Sequence, residues 1–195
     1  MNARSWPMPS LHHSTTPSLW CGTAAICAER VQEAVEYKKY HWLEDTKGRP
    51  HGLIGVRPAQ AVTFVDNHDT GSTQQHWPFP PQHKLQGYAY ILTHPGIPAV
   101  FWEDLFEGAA ALADAIKTLL DVRRYAGITS VSPVIILSAL PDQYIAQIEG
   151  GYGDVRVRLG PNVVMDGCEV YAEDGWELAL SDPNASVWVR ALDYL

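Results

Sequence analysis

Val62-Thr63-Phe64-Val65-Asp66-Asn67-His68-Asp69 is the stretch that decides how the rest of the chain is read. A short run of β-branched and aromatic residues predicts a buried strand. It stops in four polar residues, and Thr70-Gly71-Ser72-Thr73 behind them is loop. Two carboxylates and an imidazole at the end of a buried strand are costly to desolvate without partners. A strand end that opens into a cleft removes that cost, and parallel α/β barrels carry their chemistry there. The plainer reading of the same octet is a turn, with Asn and Asp side chains bonding nearby backbone amides. The octet alone leaves both open.

Downstream, residues 71–81 form a polar and aromatic loop holding Gln74, His76, Trp77 and Phe79, stiffened by Pro78, Pro80 and Pro81. A stiffened long loop favours a functional role. Residues 84–93 predict a helix with Tyr88, Ile91 and Leu92 inward, ended by His94-Pro95-Gly96. Residues 97–102 predict a second buried strand, again ending in carboxylates, Glu103 and Asp104. Residues 109–125 give the clearest helix, with Leu112, Ala115, Ile116, Leu119 and Leu120 on one face. Arg123, Arg124 and Gly127 supply its stop signals. Upstream, residues 29–43 predict one helix, stopped by the Gly and Pro of 45–50, and residues 52–58 predict loop.

The order helix, strand, helix, strand, helix is α/β with parallel strands. From Ser132 the pattern changes to six short strands, at 134–137, 144–148, 155–159, 168–172, 176–180 and 186–192. Val155, Val157 and Leu159 alternate with Arg156 and Arg158, one face dry and one wet. The organisation expected is a poorly patterned, disordered leader over 1–28, an α/β region over 29–130 and a small antiparallel sheet over 131–195.

A net charge of −8 without a run of Lys or Arg argues against nucleic acid and anionic membranes, and is compatible with a neutral ligand such as a sugar. No apolar run reaches the roughly 18–20 residues of a membrane span. Cys21, Cys27 and Cys168 make neither a metal pattern nor a disulfide framework. A metal-dependent hydrolase built on His68 and Asp69 needs at least one more converging ligand. The other histidines, His12, His13, His41, His51, His76, His83 and His94, show no ligand spacing. Neither a signal peptide nor a transit peptide is convincing in 1–28, so the compartment stays open.

Phe64 to Gln74, then Trp77-Pro78-Phe79-Pro80, then Gln86 to Pro98 together closely resemble the last part of plant and green-algal α-amylases. The resemblance runs from about Glu29 onward and is most specific between Pro58 and Trp102. It implies the tail of a (β/α)8 barrel, with residues 62–65 as its seventh strand and 97–102 as its eighth, followed by the family's antiparallel C-terminal domain. It also implies endo-hydrolysis of α-1,4-glucosidic bonds in starch and maltooligosaccharides with retention, through two carboxylates and an oxocarbenium-like transition state. A third carboxylate stabilises that transition state, and the motif matches it to Asp69. His68 would bond the same sugar ring, and Gln74 and Trp77 would line neighbouring sugar positions.

The family's nucleophile and general acid, on its fourth and fifth strands, match nothing here, and neither does the inserted region that binds structural calcium. Calcium is thus implied by the resemblance, with its ligands absent from this sequence. The paired tryptophans that plant relatives place at Val56-Arg57, and a C-terminal tyrosine near Gly160-Pro161-Asn162, are also missing. Glu103 and Asp104 are conceivable stand-ins for the absent acids, but they follow a different strand. The expectation is therefore a chain inactive by itself. A non-catalytic α-glucan-binding protein and a truncated product without a role stand beside it. Parallel strands without their barrel neighbours would leave open edges and apolar faces, with hydrogen-exchange protection concentrated after residue 130.

Overall fold

A computed structural model describes residues 25–71, 77–161 and 175–191, with the side chains of 25–28 left aside. Leader residues 1–24, Gln74 and the strand expected at 168–172 therefore lie outside the described residues. Helix α1, Ala25–Glu36, begins before the expected start and ends before the expected finish. Lys38 takes a left-handed φ of 52°, and a 3-10 turn, Tyr40–Leu43, follows. Tertiary contact sets this break: the Tyr40 amide bonds Pro141 O at 3.0 Å, which turns Tyr40 and Leu43 into the core. The loop expected over 52–58 contains one helical turn, α2, Leu53–Val56.

Strand β1, Val62–Phe64, pairs in parallel with β2, Ile97–Ala99, through Val62↔Ile97, Thr63↔Pro98 and Phe64↔Ala99. Helix α3, Lys84–Thr93, links them. Neither strand is buried on both faces: the apolar runs had suggested burial, whereas the missing barrel neighbours had suggested the open apolar faces that are seen. Thr63 and Val65 are buried, but Val62 is 37% and Ile97 48% exposed. A two-stranded sheet with no further neighbour among the described residues covers one face only. The second strand also stops early. Residues from Trp102 form helix α4, Trp102–Phe106, with Glu103 and Asp104 in its first turn. Helix α5, Ala110–Ala126, ends on Gly127 in a left-handed conformation, φ 71°, a position that suits glycine.

Five described strands form an antiparallel sheet in the order β3-β4-β5-β7-β6, where β3 is Val134–Leu140, β4 Gln143–Glu149, β5 Gly153–Leu159, β6 Glu177–Asp182 and β7 Ala185–Ala191. Val155, Val157 and Leu159 are fully buried, as their alternation predicts. The opposite face is not uniformly wet. Arg156 stacks over Trp176 at 4.3 Å, and Arg158 is buried, donating to Gly160 O and Ser186 Oγ at 2.6 and 2.8 Å.

Helix α3 is buried from Gln86 to Thr93, including all of Tyr88, Ala89, Tyr90, Ile91 and Leu92. A helix apolar on every side belongs inside a structure, and α3 packs between α1, α5 and the antiparallel sheet. Buried residues from Val31 to Val187 form one continuous cluster. Protection confined to residues after 130 is not what such a core supports, because α3 and α5 contribute to it as fully as the sheet does. Among the described residues no helix is long and apolar enough to cross a membrane.

Candidate functional site

The octet divides its work between different side chains. Asn67 braces the turn: its Oδ1 accepts the amides of Asp69 and Thr70 at 2.9 and 3.0 Å, the Asx geometry that favours Asn in turns. Thr70 Oγ1 returns a bond by accepting the Asn67 amide at 3.0 Å. The Asp69 carboxylate takes no part in this lattice. Its side chain is 59% exposed and has His68 Nε2 at 3.3 Å, with His68 itself 82% exposed. The turn thus holds the backbone under Asp69 while its carboxylate faces outward.

Asp66 does the opposite. It is buried, and Oδ1 accepts the Phe79 amide at 3.0 Å and the Thr70 hydroxyl at 3.1 Å. One carboxylate therefore closes the base of the loop across thirteen residues. Its other oxygen, Oδ2, lies 2.8 Å from Lys84 Nζ. Lys84 also donates to Asp104 Oδ1 at 2.5 Å, and Asp104 Oδ2 accepts from the Tyr88 hydroxyl at 2.7 Å. Tyr88 in turn accepts the Phe101 amide at 3.3 Å. Burial works against charge on Lys84, yet the hydrogen bonds and charges of Asp104 and Asp66 outweigh it and its pKa is raised. Burial, then the bond to Asp104, push the Tyr88 phenol up, so it stays a donor.

Trp77 stands near the other end of the same loop with 49% of its surface exposed, and Gln74 lies in the undescribed part between. Glu103 and Asp104 do not make a second acidic pair at the strand end. Asp104 is buried, and both its oxygens are engaged by Lys84 and Tyr88, which removes it as a stand-in acid. Lys84 was visible in the sequence only as the first residue of a helix. The cost of desolvating Asp66 was the one signal that pointed to a hidden partner. Among the described residues no three His, Cys, Asp or Glu side chains gather where they could hold an ion, so the calcium implied by the resemblance finds no ligand set among them.

Beneath the site, His94 is completely buried. Its Nε2 lies 2.9 Å from the Tyr144 hydroxyl and its Nδ1 3.0 Å from Tyr90 O. Desolvation lowers its pKa to about 3, which keeps the ring neutral. Arg123 closes the same corner from α5, donating to the carbonyls of Leu92, His94 and Gly96 at 3.0, 2.7 and 3.0 Å. These bonds fix the approach to β2, and with it the parallel register that places the end of β1.

The described residues thus join a parallel strand pair beside buried helices to a five-stranded antiparallel sheet, with polar side chains at the strand ends. Solved structures share this arrangement. The chain superposes on γ-CGTase from alkalophilic Bacillus clarkii with TM-score 0.55, covering 85% of this chain and 31% of that one at 18% identity. It superposes on CldA, a cyclomaltodextrin glucanotransferase, with TM-score 0.54, covering 83% and 43% at 18% identity. At that identity the likeness is one of fold. No protein-family model matches the chain. Curated sequences do. Probable α-amylase 2 of Arabidopsis thaliana is 44% identical over 160 residues, 81% of this chain and 36% of the relative. The α-amylase type B isozyme of Hordeum vulgare is 48% identical over 148 residues, 76% of this chain and 92% of the relative. Chloroplastic α-amylase 3 of Arabidopsis thaliana is 39% identical over 158 residues, 81% of this chain and 17% of the relative. The chain belongs to the α-amylase family of glycoside hydrolases and matches the C-terminal part of its plant members. It spans about a third of the length of the first of these relatives.

Proposed function

We propose that this chain carries the end of a (β/α)8 catalytic barrel over 29–130, followed by an antiparallel C-terminal domain over 131–195, and contacts α-1,4-glucan through the loop after β1. Asp69 is the carboxylate that stabilises the oxocarbenium-like transition state. His68 bonds the same ring, and Trp77 and Gln74 line adjacent sugar positions. The observation that carries this reading is the division of labour in the octet: Asn67 and Asp66 meet the needs of the turn, leaving the Asp69 carboxylate exposed with only His68 beside it among the described residues. A carboxylate whose bonds to sugar hydroxyls strengthen as the ring flattens accelerates glycoside cleavage, whereas contacts equal in both states do not.

Retaining hydrolysis needs two further carboxylates, one as nucleophile and one as acid, and the sequence offers no match for either. The chain by itself is therefore a glucan-contacting unit without turnover. Purified chain incubated with soluble starch is expected to release no reducing ends. Titration with maltoheptaose is expected to shift the signals of the Trp77 indole and the Asp69 amide, and Asp69→Ala to remove those shifts. Starch hydrolysis that disappears in Asp69→Ala would overturn the claim of inactivity. Shifts that survive the substitution would overturn the placement of the glucan.

A further inference from the structure

Lys84 holds a position that the glycoside chemistry does not require and the turn does not explain. Its ammonium is the meeting point of three elements: the end of β1 through Asp66, the start of α3 on which it sits, and α4 through Asp104. Its side chain is 17% exposed, that of Asp104 is 7% exposed and that of Asp66 is 0% exposed. The ionisable groups facing it are Asp66, just beyond the end of β1, and Asp104 from α4, with Tyr88 of its own helix bonded to Asp104. Two buried carboxylates around one cation carry a net negative charge, which among the described residues fixed donors offset: the Phe79 amide and Thr70 hydroxyl on Asp66, and the Tyr88 hydroxyl on Asp104.

Each of those donors belongs to the loop or to its support. The Phe79 amide and Thr70 hydroxyl bring the two ends of the 66–79 loop onto one carboxylate, and Thr70 passes the constraint to Asn67, whose side chain sets the Asp69 amide. Tyr88 extends the network to the Phe101 amide, at the junction of β2 and α4. An ion pair from Lys84 to Asp66, followed by hydrogen bonds through Thr70 and Asn67, therefore leads to the backbone of the residue proposed to meet the sugar.

We propose that Lys84 is a positioning residue: by pairing with Asp66 and Asp104 at once, it clamps the loop that presents His68, Asp69 and Trp77 at the strand ends. The proposal rests on the glucan reading only for the purpose of the loop; the clamp itself is a statement about Lys84, Asp66 and Phe79. Without the ammonium, Asp66 and Asp104 are left as like charges in a buried site. Such a pair relieves itself by taking up a proton or by moving apart. Moving apart releases the Phe79 amide and opens the loop at its base.

Amide hydrogen exchange on the full chain tests this. In Lys84→Met at pH 7, exchange at Phe79 and Thr70 is expected to rise about a hundredfold or more, with the Ile148 and Val157 amides of the antiparallel sheet unchanged. Lys84→Arg, which keeps the cation, should restore the wild-type pattern. If Lys84→Met does not fold, Asp66→Asn decides alone: it keeps the shape of the side chain, loses the ion pair and should free Phe79 selectively. Exchange at Phe79 that rises only in step with the sheet amides, or that Lys84→Arg fails to restore, would overturn the proposal. Maltoheptaose binding is measured in parallel, and Lys84→Met should weaken it about tenfold or more. Failure of wild type to bind would sink the glucan reading while the exchange result still judges the clamp.

Discussion

The two sheets of this molecule are held in different ways. In the antiparallel sheet, Val155, Val157 and Leu159 on β5 and Ala146 and Ile148 on β4 are completely buried, and every strand has its ladder partner. Apolar burial stabilises that sheet, at roughly 25 cal/mol for each Å² removed from water. The parallel pair has three residues in each strand and an exposed Val62 and Ile97. Its strand ends are held by ionic and polar bonds instead: the Asp66, Lys84 and Asp104 cluster on one side and the Arg123 guanidinium on the other. Polar bonds fix geometry more tightly than apolar contact does, because they fail when a partner moves by an ångström. The half that presents the candidate site is accordingly the half built on such bonds.

The contrast would collapse if the two halves did not share a core. Leu119→Ala on α5 and Ile148→Ala on β4 each remove a fully buried side chain from the same cluster. Each should cost about 2–5 kcal/mol and shift a single urea transition. Two separate transitions, each moved by only one of the substitutions, would show that the halves fold independently.

The pH response should be of comparable size over a wide range. His94 has its pKa lowered to about 3 against an ordinary value of 6.5, so it stays neutral in the fold and takes a proton on unfolding. Its contribution is fully present above pH 6.5 and is lost as pH falls towards 3, by up to about 1.4 kcal/mol for each pH unit. His94→Gln is expected to be less stable than wild type at pH 7 but to lose stability more slowly between pH 6 and 4, followed by urea titration at each pH. Asp45, held at about 2 by hydrogen bonds from Arg49, acts in the same direction only below its ordinary value near 3.8. Parallel pH profiles for wild type and His94→Gln would contradict the assignment.

The smallest effect belongs to the open face. Ile97 is 48% exposed, and Ile97→Thr should change unfolding free energy by no more than about 0.5 kcal/mol. Self-association, followed by light scattering against concentration, should fall, because an exposed apolar face beside a strand edge that has no further neighbour among the described residues invites pairing. A cost of several kcal/mol would mean that this face is covered in solution.

How much of this was legible in the sequence depended on how local the cause was. Helices α3 and α5 and the strands around Val155 and Val187 follow from periodicity and turn residues, all written within a few positions of one another. The break at Lys38 was hidden, since it answers to a bond between Tyr40 and Pro141. Arg158 reads as a solvent-facing residue by alternation, yet it is buried because Gly160 and Ser186 supply acceptors from other segments. The exposed faces of Val62 and Ile97 were foreseen only through the resemblance and its missing neighbouring strands, because an apolar run by itself looks the same whether or not such strands cover it. At the site, the motif pointed to Asp69, His68 and Trp77, but the Lys84 and Asp104 bond joins residues twenty positions apart, and no pattern in either stretch announces it.

Replacing the matching segment of a complete α-amylase with residues 29–191 of this chain, with and without Asp69→Asn, addresses the central point most directly. Starch hydrolysis and thermal melting would be measured on the same samples. The expected result is a loss of hydrolysis of at least about a hundredfold with the melting temperature unchanged, since Asn67 and Asp66 brace the turn and Asp69 does not. Hydrolysis that survives the substitution, or a melting temperature that falls with it, would contradict the assignment of Asp69 to the sugar.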